Sequence, residues 1–316
     1  MKILIAETES FSDEATAITR QAGQVDKIDI CAEDIAWAFE NYDVIWFRLG
    51  FRISEKLLRR PGSRVSVIVC PVTGLDHIDT KTCGELGIEV ISLKGEVEFL
   101  KSVRATAEMT IGLNLALLRK IPQAFKSVKK GEWERDNFKG SEIFGKTVGI
   151  IGMGRLGKIV ADYFLAFGAK VIAFDVKDFH WEGVRKATTL TELLNCSDIV
   201  SLHVSYDKST HHLINKEAFQ NFKKGSILVN TARGSIVDTD GLIEALQSGL
   251  LGGAALDVIE NEHEVQKSKL ITYANQFENL LITPHLGGNT TESFAKTEVF
   301  IAQKLINFLS KKVVWE

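Results

Sequence analysis

The stretch from Lys146 to Asp175, KTVGIIGMGRLGKIVADYFLAFGAKVIAFD, limits what this chain can fold into more than any other. Val148 to Ile151 is a short apolar run suited to a buried strand. Gly152, Gly154 and Gly157 follow as G-x-G-x-x-G, and a helical pattern runs from Leu156 to Phe167. Gly168 stops that helix, and Lys170 to Phe174 reads as the next strand, ending at Asp175. The glycines have separate tasks. Gly152 permits the tight turn out of the strand, Gly154 lets a pyrophosphate approach the backbone, and Gly157 lets helix and strand pack closely. The helix N-terminus offers unpaired N–H groups to the phosphates. Asp175 can accept hydrogen bonds from ribose hydroxyls, and its charge opposes a 2′-phosphate, so NAD is expected rather than NADP. Three glycines alone would serve equally as ordinary turns. The order strand, glycines, helix, strand, acid carries the dinucleotide reading.

The 316 residues suffice for two cores of ordinary domain size. A formal net charge of -3, with Lys and Arg distributed along the chain, gives no argument for a nucleic-acid or membrane partner. Cys31, Cys70, Cys83 and Cys196 form no C-x-x-C pair, and no metal is expected. MKILIAET reads as a first strand, not a leader, so a reducing cytoplasm is the expected setting. No apolar run is long enough to span a bilayer.

Before the glycine-rich turn, strand-like runs (Ile3 to Ala6, Val25 to Ile28, Val44 to Phe47, Val65 to Val69, Gly87 to Ser92) alternate with short helical patterns. This predicts a small parallel-sheet domain with ligands beyond its strand ends. Two loops are candidates there. Arg48 and Arg52, after Phe47, are suited to an anion, and backbone N–H groups around Thr73 and Gly74 to a carboxylate. Either arginine could equally be a solvated surface group, and His77 is read as structural. Arg104 to Lys120 predicts a crossover helix, with the domain change near residues 98–103 and Pro122 just beyond the helix. Trp133 and Phe138 are expected to pack loops onto the core.

After Asp175 the alternation resumes, with strands at Ile199 to Val204, Ser226 to Asn230, Ala254 to Val258 and Leu281 to Thr283. It predicts an open parallel sheet with helices on both faces. Arg233, Glu262 and His285 each follow one of these runs. A doubly wound sheet can bring such strand ends together. Histidine is a general acid/base near neutral pH, glutamate can orient it, and arginine can bind an anion. Taken singly, each residue has a plain structural or surface reading.

With these pieces in hand, the chain resembles the family of D-isomer-specific 2-hydroxyacid dehydrogenases, which includes phosphoglycerate dehydrogenases. GMGRLGK, SILVNTARGSIVD, ALDVIENE and TPHLGG carry the resemblance, which covers nearly the whole chain. It implies Arg233, Glu262 and His285 as the catalytic trio. It also implies dinucleotide contacts at Gly152, Met153, Gly154, Arg155, Leu156 and Gly157, ribose contact at Asp175, a backbone contact at Thr231, Asp257 beside the nicotinamide carboxamide, and further cofactor contacts at Arg233 and His285. The implied fold is α/β, with two Rossmann-like domains with parallel sheets, joined by crossover helices. Residues 1–101 and 287–316 would form a discontinuous substrate-binding domain, and 102–286 the NAD-binding domain. A homodimer is implied as well. Departures fall at Ser205 and His263, where the family often has proline, and around the substrate turn CPVTG.

The expected activity is NAD-linked interconversion of a small anionic D-2-hydroxy acid and its 2-oxo acid, with His285 as general acid/base. Arg48, Thr73, Gly74, Arg104, Arg233 and His285 are the expected substrate contacts. Two alternatives stand beside it. One is 3-phosphoglycerate as the acid, its phosphate met by Arg48, Arg52 or Arg104. The other is an NAD-responsive, corepressor-like binding protein.

Overall fold

The structure, a computed structural model, describes residues 1–313. The chain forms two compact units, Met1–Val103 with Asn289–Glu316, and Arg104–Gly288.

The first unit is built on β1 (Lys2–Ile5), β2 (Gln24–Lys27), β3 (Val44–Trp46), β4 (Val67–Cys70) and β5 (Glu89–Ser92). They form one parallel sheet in the order β2-β1-β3-β4-β5. Successive side chains of a strand point to opposite faces. Accordingly Ile3 and Ile5 join one buried cluster, and Leu4 and Ala6 the other. Ile301, Ala302 and Leu305 of the helix Thr291–Val313 complete the Ile3 cluster, which is why the C-terminal segment belongs to this unit.

The second unit carries β6 (Thr147–Ile151), β7 (Lys170–Phe174), β8 (Val184–Lys186), β9 (Ile199–Leu202), β10 (Ser226–Asn230), β11 (Leu251–Leu256) and β12 (Leu280–Ile282). All are parallel, in the order β8-β7-β6-β9-β10-β11-β12. The chain winds outward in both directions from β6 and β9, so a crevice opens at their carboxyl ends. Helices Ala105–Leu118 and Arg155–Ala166 cover one face, burying Ala107, Ile159, Val160 and Phe164 against Val148, Ile150 and Val171. Leu193, Phe219 and Leu242 cover the other, against Ile151, Val200 and Leu228. Side-chain caps start these helices where the sequence supplies them: Thr189 accepts from the Glu192 amide at 3.1 Å and Asn215 from the Ala218 amide at 2.9 Å.

Several local expectations need correction. Trp133 is 84% exposed and packs on no core of this unit. Pro122 lies just beyond the crossover helix, as expected, but there it starts a further helix that the sequence reading did not foresee, Ile121–Lys129, entered through a left-handed Lys120 (φ 51°). A first-turn proline loses nothing, because its missing N–H would have had no helical partner. Strand β8 escapes sequence reading because it is a sheet edge of mixed polarity, VRK. Strand β11 starts at Leu251, earlier than expected, through the glycines of LGGAAL.

Candidate active site

The glycine-rich turn has the geometry its sequence implies. Gly152 has φ 94°, and a Cβ there would meet the His203 backbone at 2.8 Å. A Cβ on Gly157 would stand 1.9 Å from the Gly152 carbonyl oxygen, so only glycine permits that approach of helix to strand. Gly154 is different: it is exposed, with nothing within 4 Å of its Cβ position. Open backbone at the start of an α-helix of 12 residues is what a pyrophosphate requires. The Asp175 carboxylate accepts from the Met153 amide at 2.7 Å and the Lys177 amide at 2.8 Å. It therefore braces the turn and, only partly buried, keeps lone-pair capacity for a ribose. Arg155 and Leu156 lie half-buried in the first helical turn, and burial pushes the Arg155 guanidinium below its usual value.

Beyond β10 the chain makes the Thr231–Arg233 turn. Thr231 is buried, its hydroxyl 2.8 Å from that of Thr110, which leaves its backbone as the group to offer a ligand. Asn230 ties the turn from both sides, accepting from the Ala232 amide and donating to the Arg233 carbonyl. Arg233 is extended and half-buried, with its Nη1 donating to the Ala232 carbonyl. Gly234 then presses on the next loop, since a Cβ there would lie 1.9 Å from the Ile259 carbonyl carbon. The Arg233 segment thus touches the loop that carries Glu262.

Glu262 and His285 are brought together directly. The His285 Nδ1 lies 2.8 Å from Glu262 Oε2, with the histidine side chain 25% exposed. A carboxylate on Nδ1 fixes the tautomer and leaves Nε2 to exchange a proton. The histidine holds a left-handed φ of 55°, uncommon for a residue with a Cβ. Asp257 maintains it. This carboxylate is 1% exposed and accepts from the Thr283 hydroxyl at 2.6 Å and from the Leu286 and Gly287 amides at 2.8 and 2.7 Å. The His285 amide adds a bond to the Asp257 carbonyl at 2.8 Å. Asp257 is thus the clamp of the His285 loop, a task that sequence reading missed because its partners, a hydroxyl and two backbone amides, lie 26 to 30 residues away.

His203, also missed, lies under the glycine-rich turn. Burial depresses its imidazole to about 3, and its Nε2 is 2.8 Å from the Ser201 hydroxyl. It is a neutral structural group.

In the first unit Arg48 is engaged by its own fold. Its Nη2 lies 2.5 Å from Glu298, whose side chain is fully buried, and its guanidinium stacks over Phe294 at 4.1 Å. Arg52 and Thr73 are exposed and Gly74 is half-buried. Arg104 is the exposed N-cap of its helix.

Fold and site thus define a dinucleotide-binding α/β protein with a carboxylate-braced histidine beyond its sheet. Residues 111–287 match the family described as D-isomer specific 2-hydroxyacid dehydrogenase, NAD binding domain. The chain is 36% identical to the hydroxypyruvate reductase of Thermotoga maritima, over 84% of this chain and 85% of that protein. It is 34% identical to the D-3-phosphoglycerate dehydrogenase of Methanocaldococcus jannaschii over 96% of this chain, and it spans only 57% of that relative's length. A solved D-lactate dehydrogenase from Aquifex aeolicus, complexed with NAD and lactic acid, superposes with a TM-score of 0.84 at 30% identity, covering 99% of this chain and 96% of that one. The chain belongs to the D-isomer-specific 2-hydroxyacid dehydrogenase family, and its second unit contains the family's NAD-binding domain.

Proposed function

We propose that the protein interconverts a D-2-hydroxy acid and its 2-oxo acid. The observation that carries the reading is the His285–Glu262 pair at 2.8 Å, in the unit that presents an open glycine-rich turn. NADH held at the Gly152–Gly157 turn would supply the hydride for C2 of the oxo acid. His285 Nε2–H gives its proton to the C2 oxygen, and in the oxidative direction takes it back. Glu262, 2.8 Å from Nδ1, orients the imidazole and fixes which nitrogen faces the substrate. Arg233 holds the substrate carboxylate or polarises the C2 oxygen. Thr73 and Gly74 offer backbone N–H groups to the carboxylate in this reading, and the five-stranded unit is the substrate-binding one.

The acid we favour is unphosphorylated. A substrate phosphate needs its own cations, and Arg48 is already committed to Glu298. That leaves Arg52 and Arg104, both exposed and neither held by an ion pair among the described residues, so neither is preorganised for a phosphate. A screen of D-2-hydroxy acids against their L-isomers tests the reaction, and turnover confined to L-isomers or simple alcohols would sink it. Comparing kcat/KM for 3-phosphoglycerate and glycerate tests the acid. A clear preference for the phosphate would overturn the choice.

The same reading includes a homodimer in a reducing cytoplasm. In its support, the second unit exposes Ile121, Phe125 and Val128 at i, i+4 and i+7 of one helix, and Trp133 and Phe144 are exposed as well. Cys70 and Cys83 are buried thiols. Sedimentation of wild type and Phe125→Glu is the check. A monomeric wild type would contradict the dimer.

A further inference from the structure

A second histidine–carboxylate pair stands behind the first. His212 Nε2 lies 2.8 Å from Glu260 Oε1, and the other oxygen of Glu260 accepts from the Thr239 hydroxyl at 2.8 Å. Glu260 precedes Glu262 by two residues, and Asn261 between them is left-handed (φ 54°). The backbone reverses sharply there, with the Glu264 amide closing on the Asn261 carbonyl at 2.7 Å. The direction in which Glu262 leaves the chain is therefore set by where Glu260 is anchored. No proline stiffens the loop just after Glu262, where the sequence has His263.

The anchor is itself built. His212 also has a left-handed backbone (φ 49°), and its amide donates to the Ser235 carbonyl at 2.9 Å. Its ring stacks on His211 at 4.0 Å between centroids, and the His211 Nδ1 lies 3.3 Å from the Tyr206 hydroxyl. A residue held in an uncommon conformation persists only where its surroundings over-determine it. Here a ring stack and a carboxylate hold the imidazole, and a backbone bond holds the amide of the same residue.

We infer that Glu260, held by His212 and Thr239, is a positioning residue that sets Glu262 against His285. The inference rests on the proposed function, since it assigns to Glu262 the orientation of a catalytic histidine. It extends the site to a loop, residues 205–213, with no place in the chemistry itself.

Two replacements of His212 separate the hydrogen bond from the packing. His212→Gln keeps an N–H donor near the Nε2 position and loses the ring stack. His212→Phe keeps the stack and loses the donor. Glu260→Leu removes the acceptor. Each is measured for hydrogen exchange of residues 258–266, NADH affinity, and the pH profile of 2-oxo acid reduction. We expect faster exchange in His212→Phe and Glu260→Leu and near-wild-type exchange in His212→Gln. Misplacing a catalytic group by about 1 Å costs about 10²-fold, so a partly loosened Glu262 should lower kcat roughly ten-fold, with KM and NADH affinity little changed. The pH optimum should move downward, as in Glu262→Gln, because the carboxylate 2.8 Å from the imidazole is displaced. A purely structural role would lower stability and leave the pH profile in place, and that result overturns the inference. So does His212→Gln behaving like His212→Phe. A wild type inactive on every 2-oxo acid would instead overturn the proposed function and this inference with it, while an active wild type with unmoved variants overturns this inference alone.

Discussion

Replacing Asp257 with Asn tests the support of His285 by a single atom. The carboxylate presents Oδ1 to the Thr283 hydroxyl and the Leu286 amide, and Oδ2 to the Gly287 amide. An asparagine has one oxygen. If that oxygen faces Thr283 and Leu286, its NH₂ meets the Gly287 N–H. If it is turned over, the NH₂ meets the Leu286 N–H, and only the hydroxyl of Thr283 can rotate to accept. Either way one buried amide is left unsatisfied, at about 1–3 kcal/mol, and the remaining bonds lose their charged acceptor, at about 1 kcal/mol each. The sum is about 3–5 kcal/mol against the Thr283–Gly287 loop. Because the left-handed His285 lies inside that loop, the histidine shifts and turnover falls by about 10²-fold or more. The assay pairs hydrogen exchange of residues 283–288 with kcat and NADH affinity. Fast exchange and low kcat are expected together. A variant with wild-type exchange and turnover but weakened NADH binding would refute the reasoning, and would make Asp257 chiefly the cofactor contact that the family resemblance implies.

Other outcomes follow from the same geometry. His285→Gln should fold and bind NADH normally while losing roughly 10²- to 10⁴-fold in rate, since an amide cannot exchange the proton; near-wild-type turnover would end the proton-transfer role. Glu262→Gln should move the pH optimum for reduction downward, read from steady-state profiles. Gly157→Ala should abolish NADH binding or folding, because its Cβ would stand 1.9 Å from the Gly152 oxygen; calorimetric NADH titration reads this. Glu298→Leu strands Arg48 in a mostly buried site and should cost about 3–5 kcal/mol in urea unfolding at neutral pH, most of it returned by adding Arg48→Met. Burial raises the Glu298 carboxyl above its ordinary value, against the pull of the Ser12 amide and Arg48. A raised carboxyl contributes below its unfolded value and loses that contribution as pH rises through the folded value. Measured against the double variant, wild-type stability should therefore decline as pH rises out of the ordinary carboxylate range.

Local sequence determined those parts of the protein whose physics is local. Alternating apolar runs and helical patterns specify parallel sheets, because each strand must be buried on both faces and crossed by a helix. The dinucleotide turn was legible because the spacing of Gly152, Gly154 and Gly157 answers to three contacts within one βαβ unit. Arg233, Glu262 and His285 were legible as residues following strands, and the family resemblance raised them together. What the sequence could not carry was which partner each polar group would take. Arg48 reads as an anion site, yet Glu298, 250 residues away, claims it. Asp257 reads as a cofactor contact, yet its lone pairs are largely taken by the His285 loop. Trp133 reads as packing a loop onto the core, yet it is 84% exposed among the described residues. The pairing of Glu260 with His212 joins loops 48 residues apart and has no signature in either. Hydrogen bonds and ion pairs depend on distances of a few ångströms between segments far apart in the chain. Only the folded backbone sets those distances.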